Sequence, residues 1–364
     1  MLQRELVNLT IARKKKPDCA FWLGHPADES KTNYYKILDI HEGELSDLEK
    51  RNRMAHVWKS SQADEMEVEL NLKLNSDMIW ISPETDLSAW KHPEGKPMWD
   101  YMVKERESLG TAGVFAECET IAEVEAFPWP NPDFLDFSEP LRRVKYAYDK
   151  GLAVFGGMWC PFFHVVGDFF GMENYFIKMY TNPDVVHAVT SHVVDFYIET
   201  NTRWLNLAKD YHTAGFIGND FGTQLDLFIS PDSFDEFILP YIKRLLEPIK
   251  KAGLHLAFHS CGAVDKVIPK LINNGVEILH PIQARARNMD AITLENKYGK
   301  DLIFLGGVDT QDLLPFRTAS DVREEVLRLR DIFGDHFIVS PSHEALLPHV
   351  PFENVVAMSK AAKE

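Results

Sequence analysis

From residue 150 onward the chain alternates short apolar strings with helical stretches, and this alternation restricts the fold more than any other feature. The strings are AVFGGM (153–158), HTAGFIGND (212–220), LHLAFHSCG (254–262), VEILHPIQ (276–283), DLIFLGGVD (301–309) and HFIVSPSH (336–343). Each has the length and composition of a strand. The helices between them carry legible ends. Asn182-Pro183-Asp184 opens one, with Asn182 as N-cap and Pro183 at the first helical position. Val185, Val186, Val189, Val193 and Phe196 follow at helical spacing. Ser230-Pro231-Asp232 opens the next, whose stripe from Phe234 to Ile249 ends at Gly253. AVDKVIPKLINN (263–274) stops at Gly275, Thr318 caps a helix ending at Gly334, and Pro351 opens the last.

Strands alternating with helices predict stacked βαβ units and a parallel sheet of seven or eight strands. A doubly wound sheet usually offers a glycine-rich phosphate loop after its first strand. The sequence contains no GxGxxG and no GxxxxGK[ST]. The expected fold is therefore an α/β chain closed into a (β/α)₈ TIM-type barrel. With 364 residues, 45% of them hydrophobic, the chain has the apolar material for one large core. The first half is less regular. NSDMIWIS (75–82) reads as a strand and TAGVFAE (111–117) as another. EAFPWPNPDFLDFSEP (125–140), with four prolines and four aromatics, reads as a long ordered loop or lid. The expected organisation is one domain, with an N-terminal arm and helices over 1–75 and the barrel over 76–364.

Charge narrows the partners. The chain carries 39 basic and 55 acidic residues, net −16, which argues against nucleic acid, whose phosphates require lysine and arginine. The four cysteines, Cys19, Cys118, Cys160 and Cys261, form no CxxC and no disulfide framework, so a reducing cytoplasm is the expected location. The first residues lack the apolar stretch of a secretory signal, and the apolar run from Ala153 to Phe170 is broken by glycine, proline, histidine and aspartate, a poor membrane span.

In a (β/α) barrel the active site lies at the C-terminal ends of the strands, so the residues closing each string carry the weight. The sharpest element is His259-Ser260-Cys261. Residues two apart on a strand face the same side, which lets His259 and Cys261 converge on one ion. His343 closes the last strand and could face the same mouth. A His/Cys/His set with one open position is a catalytic zinc geometry. Read alone, HxC also fits a hydrogen-bonded core histidine followed by a small residue permitting a turn at Gly262. Asp220 either orients substrate or caps the loop after it. Asp309, after Gly306-Gly307, either takes part in chemistry or caps the next turn. Trp159, Phe163 and His164 either wall an aromatic substrate pocket or belong to the core. His280, in LHPIQ, is most simply a strand-end histidine, and Glu344 follows His343 as an acid at the same strand end.

Four strings in order, ISPDSFDEFILPYIKRLLEPIKKAG, HSCGAVDKVIPKLINNGVEILHPIQ, YGKDLIFLGGVDTQDLLP and SPSHEALLPHVPFENVVAM, resemble the uroporphyrinogen decarboxylase superfamily over roughly residues 150–360. The earlier part matches loosely, through SDMIWISPE and WPNPDFLDF. The resemblance implies a TIM-type barrel and one of two chemistries: cofactor-free decarboxylation of uroporphyrinogen, or methyl transfer to or from a corrinoid with the help of zinc. In the coenzyme M members of the second kind, an HxC pair and a C-terminal cysteine hold the metal. His259 and Cys261 match the pair, and His343 stands where those members have cysteine. The decarboxylases bear an arginine-rich segment near their start that binds substrate carboxylates. Here CAFWLGHPADESKTNYY occupies that region, with no arginine from Ala20 to Lys50. A substrate with eight carboxylates needs forked guanidinium donors, so the resemblance favours the corrinoid-dependent methyltransferases. It implies zinc on His259, Cys261 and His343, catalytic roles for Asp220, Glu344 and Asp309, and a substrate pocket at Trp159, Phe163, His164 and His280. A methoxylated aromatic donor, an O-demethylase activity, suits those aromatics. No part of the chain reads as a cobalamin domain, so the corrinoid is expected on a partner protein. A small methyl donor or acceptor is the other partner, and a homodimer is compatible with the resemblance.

Overall fold

The computed structural model describes residues 2–16, 18–41, 65–83, 89–99 and 108–364. The part of the expected arm at 42–64 lies outside the described residues. Eight strands lie side by side, all parallel: β1 Ala20–Phe21, β3 Met78–Ile81, β4 Ala153–Gly156, β5 Ala214–Gly218, β6 His255–His259, β7 Ile278–Ile282, β8 Ile303–Val308 and β9 Phe337–Pro341. Their order, β1-β9-β8-β7-β6-β5-β4-β3, is that of an almost closed barrel. Two short strands, β2 His25–Pro26 and β10 Ala345–Leu346, pair above β1 and β9, with Ala345 opposite His25.

Asp77 closes the seam between β1 and β3. Its N–H donates to the Phe21 carbonyl at 2.8 Å, and its carboxylate accepts from the Phe21 N–H at 2.8 Å. Lys363, at the end of the last helix, pairs with the same carboxylate. Burial pushes the Asp77 carboxyl up, and the Lys363 charge works against that rise. Ser76 adds a hydroxyl that accepts from the Leu23 N–H at 3.2 Å.

Alternation along each strand divides the apolar residues into two layers. Ala153 and Phe155, Ala214 and Phe216, Ala257, Ile278, Ile303 and Leu305, and Ile338 fill the barrel interior. Leu256, Phe258, Leu279, Phe304 and Val339 face outward into the much larger layer under the helices. The helix Gln3–Ile11 plugs the interior, adding Leu6 and Val7 to it. Each fully buried side chain of this size contributes about 1.5–3 kcal/mol of transfer free energy, so the apolar alternation fixes which residues look inward. The plug helix leaves the opposite, C-terminal mouth for polar groups.

The helix boundaries follow the expected signals where a side chain can act. Ser230 accepts from the Ser233 N–H, and Thr318 forms a capping box with Asp321. Gly253, Gly275 and Gly334 adopt the positive φ that ends a helix. Asn182 marks the start of Pro183–Ala208 without capping it, because its amide is drawn away to Glu119 at 2.6 Å. The stripe from Phe234 to Ile249 spans two helices, Pro231–Phe237 and Leu239–Lys251. Pro240, at the start of the second, has no N–H to continue the ladder of the first.

TAGVFAE is not a strand. The Gly113 and Phe115 N–H groups donate to the carbonyls of Phe170 and Phe169, the last residues of the helix Phe162–Phe170. The segment satisfies carbonyls that a helix end leaves open. A Cβ at Gly113 would lie 2.2 Å from the Asp168 carbonyl oxygen, so only glycine permits this approach. The proline-rich 125–140 segment is an ordered loop, held by Trp129 stacked on His192 of the long helix at 4.6 Å between centroids. No helix among the described residues is long and apolar enough to cross a membrane.

Candidate active site at the barrel mouth

His259 is the last residue of β6 and continues the inward register of Ala257. It lies opposite Gly218 on β5 and His280 on β7. Gly218 is required here. A Cβ at that position would sit 2.5 Å from the His259 Cβ and 2.3 Å from its carbonyl oxygen. Both imidazoles are buried, and the His259 Nδ1 is 2.9 Å from the His280 Nδ1. The other His259 nitrogen, Nε2, is 2.9 Å from the Asp220 Oδ1 and 3.4 Å from the Cys261 Sγ. The Cys261 N–H donates to the same Asp220 oxygen at 3.0 Å. Asp220 thus ties the two ends of the HxC string together. Gly262, with φ at +89°, then turns the chain away against Gly222.

The loop after β9 adds the other side of the cluster. The Glu344 Oε2 lies 4.0 Å from the His259 Nδ1 and 3.7 Å from the His343 Nδ1. It is buried and has no hydrogen-bond partner among the described residues. Three overlapping groups each keep their donor atoms within 4.8 Å: Asp220, His259 and Cys261; His259, His280 and Glu344; and Cys261, His343 and Glu344. No lysine or arginine is bonded to any of the six among the described residues.

Protonation follows from this crowding. Burial disfavours the Asp220 carboxylate, but the hydrogen bond and charge of His259 outweigh it and hold the group well below its usual range. Burial likewise disfavours a charged His259, and Cys261, Glu344 and Asp220 together reverse that, so its pKa is raised. Burial pushes the Cys261 thiol up to about 12. It is a thiol until a cation arrives. His280 is lowered by burial and by its histidine neighbours His259, His343 and His25.

The set suits a soft divalent ion. Zinc bonds nitrogen at about 2.0–2.1 Å and sulfur at about 2.3 Å, so two tetrahedral ligands lie about 3.5 Å apart. The His259 Nε2 to Cys261 Sγ distance of 3.4 Å meets that spacing. An orphaned carboxylate oxygen on Glu344 is a further sign of a missing partner.

Of the residues singled out from sequence, Asp220, His259, Cys261, His280, His343 and Glu344 come together at the mouth. Trp159 stands beside them, its ring edge-on to His259 at 5.1 Å and to Trp80 at 5.4 Å. His164 acts on Asp220 through its charge. Phe163 does not reach the mouth. It is fully buried among Tyr175, Phe176, Phe221 and Phe228. Asp309 is committed elsewhere. Its carboxylate accepts the N–H groups of Gln311, Asp312 and Leu313 and pairs with Arg285 at 2.8 Å. His25 was not singled out. It is buried against Trp22 at 5.3 Å and Trp80 at 4.8 Å, and its charge bears on His280. The only sequence hint was an aromatic-flanked histidine in FWLGHP.

The spacing Asp-x-His-x-x-Gly that marks some corrinoid-binding proteins does occur, in Asp210-Tyr211-His212-Thr213-Ala214-Gly215. Here it precedes β5, at the end of the barrel away from the mouth. His212 is buried and accepts from the Trp204 indole N–H at 3.1 Å. A cobalt ligand must be reachable, and this imidazole is not.

Comparison with known proteins agrees with the fold. The chain is 27% identical over 229 residues to a methylated-thiol–coenzyme M methyltransferase of Methanosarcina mazei, covering 61% of this chain and 56% of that protein. It is 22% identical over 231 residues to a methylcobamide:CoM methyltransferase of Methanosarcina acetivorans, covering 62% of each. The matched part thus spans a little over half of these relatives. A solved structure of a methyltransferase from Methanosarcina mazei superposes with a TM-score of 0.63 at 14% identity, covering 100% of this chain and 98% of that one, and shares the fold. Residues 113–364 match the family described as Uroporphyrinogen decarboxylase (URO-D), and the chain belongs to that family.

Proposed function

We propose that this chain is a methyltransferase that moves a methyl group between a methylated small molecule and a corrinoid carried by a separate protein, with a zinc ion held at His259 and Cys261. The observation that carries the reading is the HxC pair at a strand end, with its nitrogen and sulfur 3.4 Å apart, in a chain similar to coenzyme M methyltransferases. Asp220 groups with both His259 and Cys261 and supplies the third donor, while His343 groups with Cys261 and Glu344 and not with His259, so the expected His259/Cys261/His343 set is not one cluster. When bound, zinc supplies Lewis acidity toward a sulfur or oxygen of the substrate.

The chain's own residues do the rest. Asp220 fixes the Cys261 backbone and the His259 ring in one geometry. Glu344, with an unpaired buried oxygen, is placed to hold a proton or to meet one on the substrate. Trp159 and Trp80 form an apolar wall beside His259 and keep water from that side. Asp309 is left out of the catalytic set, since its bonds are those of a cap. The idea of a methoxylated aromatic donor loses one support with Phe163 in the core and keeps another in Trp159. A cytoplasmic location is part of the proposal, and four free buried cysteines are consistent with it.

The alternative is decarboxylation of uroporphyrinogen, favoured by family membership. A polycarboxylate would meet Asp220 and Glu344 at this mouth with no lysine or arginine bonded beside them among the described residues, and the two carboxylates would repel it. The test follows methylcobalamin consumption by absorbance, with coenzyme M as acceptor, with and without a chelator. Zinc-dependent transfer supports the proposal. Ordinary turnover of uroporphyrinogen to coproporphyrinogen, with no methyl transfer, overturns it.

A further inference from the structure

The ring that touches His259 from behind is His280, and nothing above gives it a task other than contact with substrate. A 2.9 Å contact between two ring nitrogens holds one proton, so one imidazole donates and the other accepts. The choice is forced once the metal reading is adopted. A histidine that ligates through Nε2 has no proton there, so in its neutral form the proton is on Nδ1. Among the described residues the His259 Nδ1 has one neighbour at hydrogen-bonding distance, the His280 Nδ1, with the Glu344 Oε2 farther off at 4.0 Å.

We infer that His280 is a positioning residue: its Nδ1 accepts the His259 Nδ1–H, fixes the tautomer that leaves Nε2 bare, and so aims His259 at the metal. The inference rests on the zinc reading of the preceding section. Metal-bound histidines commonly donate their second N–H to a carboxylate, a carbonyl or water, and such partners matter nearly as much as the ligands. Here a second imidazole fills that place. Its own orientation is set by packing, with Trp22 at 5.1 Å and Phe216 at 5.3 Å. The His280 backbone joins in, its carbonyl accepting from the Ser260 N–H at 2.8 Å. In this tautomer the His280 proton sits on Nε2, which is buried without a partner among the described residues.

The test compares wild type with His280→Asn and His280→Leu. Asparagine places an amide oxygen near the Nδ1 position and can still accept, whereas leucine cannot. Zinc alone is titrated against a colorimetric chelator, and far-ultraviolet circular dichroism melts report folding. Zinc affinity is expected to fall 10–100-fold in His280→Leu and to stay within about 3-fold of wild type in His280→Asn. Wild-type affinity in His280→Leu, or equal losses in two variants that melt alike, would overturn the inference. If wild type itself takes no zinc, the metal reading falls and the inference that rests on it falls with it, whereas a wild type that binds zinc beside an undiminished His280→Leu sinks the inference alone. In the zinc-loaded protein the ¹⁵N-histidine spectrum should show the His259 proton on Nδ1 and a bare His280 Nδ1 accepting it. A protonated His280 Nδ1 in that state refutes the positioning role.

Discussion

Replacing Gly218 with alanine probes how tightly the fold holds the site. Gly218 on β5 is in register with His259 on β6. The added Cβ would lie 2.5 Å from the His259 Cβ and 2.3 Å from its carbonyl oxygen, and neither atom belongs to a flexible tip. Ordinary contact requires about 1 Å more, so the ends of β5 and β6 must part by that amount. Overpacking of this kind costs about 1–3 kcal/mol. The Asn219 N–H bond to the His259 carbonyl, now 3.0 Å, would stretch as well and add about 1 kcal/mol. Gly215→Ala is the control. The atoms nearest its Cβ would be those of the Ile249 side chain, the first at 2.4 Å, on the outer face of the same strand. Both variants should lose about 1–4 kcal/mol in urea unfolding. Only Gly218→Ala moves His259, and a shift of about 1 Å in a reacting group costs about 100-fold. Zinc affinity by chelator competition and methyl transfer should therefore collapse in Gly218→Ala and stay near wild type in Gly215→Ala. Unchanged affinity in Gly218→Ala, or equal loss in both, would refute the reasoning.

Other outcomes are equally specific. His212 is held neutral, its pKa lowered by burial to about 4 from 6.5. The unfolded chain takes up that proton first, so this contribution to stability is intact above pH 6.5 and is lost as pH falls toward 4, by about 3 kcal/mol. His212→Gln keeps an acceptor for Trp204 and should remove that part of the loss, so parallel pH curves for the two proteins in urea unfolding would refute it. Asp77→Ala opens the barrel seam and leaves Lys363 and the Phe21 N–H without their partner, a loss of about 3 kcal/mol. A melting temperature within 2 °C of wild type, roughly the experimental resolution against the several degrees expected, would contradict the seam's role.

Seven of the eight barrel strands were legible because each is a mostly apolar run of four to six residues between clear punctuation. β1 was not. It contributes two residues, Ala20 and Phe21, and its pairing partner β9 is more than 300 residues away in the chain. No local pattern records such a contact. TAGVFAE misled because its apolar residues pack on a helix end, a use that leaves the same composition as a strand. At the site, the HxC string showed its chemistry because strand alternation places His259 and Cys261 on one side. Glu344 and His280 were visible as strand-end residues, but their roles depend on atoms brought from separate strands. Phe163 and Asp309 looked equally suitable from sequence, and only packing and hydrogen bonding sort them from Trp159 and Asp220.

Zinc K-edge X-ray absorption on the purified protein, beside Cys261→Ser, tests the central claim most directly. The account predicts about one zinc per chain with a single sulfur scatterer near 2.3 Å and nitrogen or oxygen scatterers near 2.0–2.1 Å. In Cys261→Ser the sulfur shell should vanish while the fold persists. A protein that carries no zinc when expressed in its presence, or whose zinc shows the same sulfur shell after the substitution, would contradict the assignment of His259 and Cys261 as the metal centre.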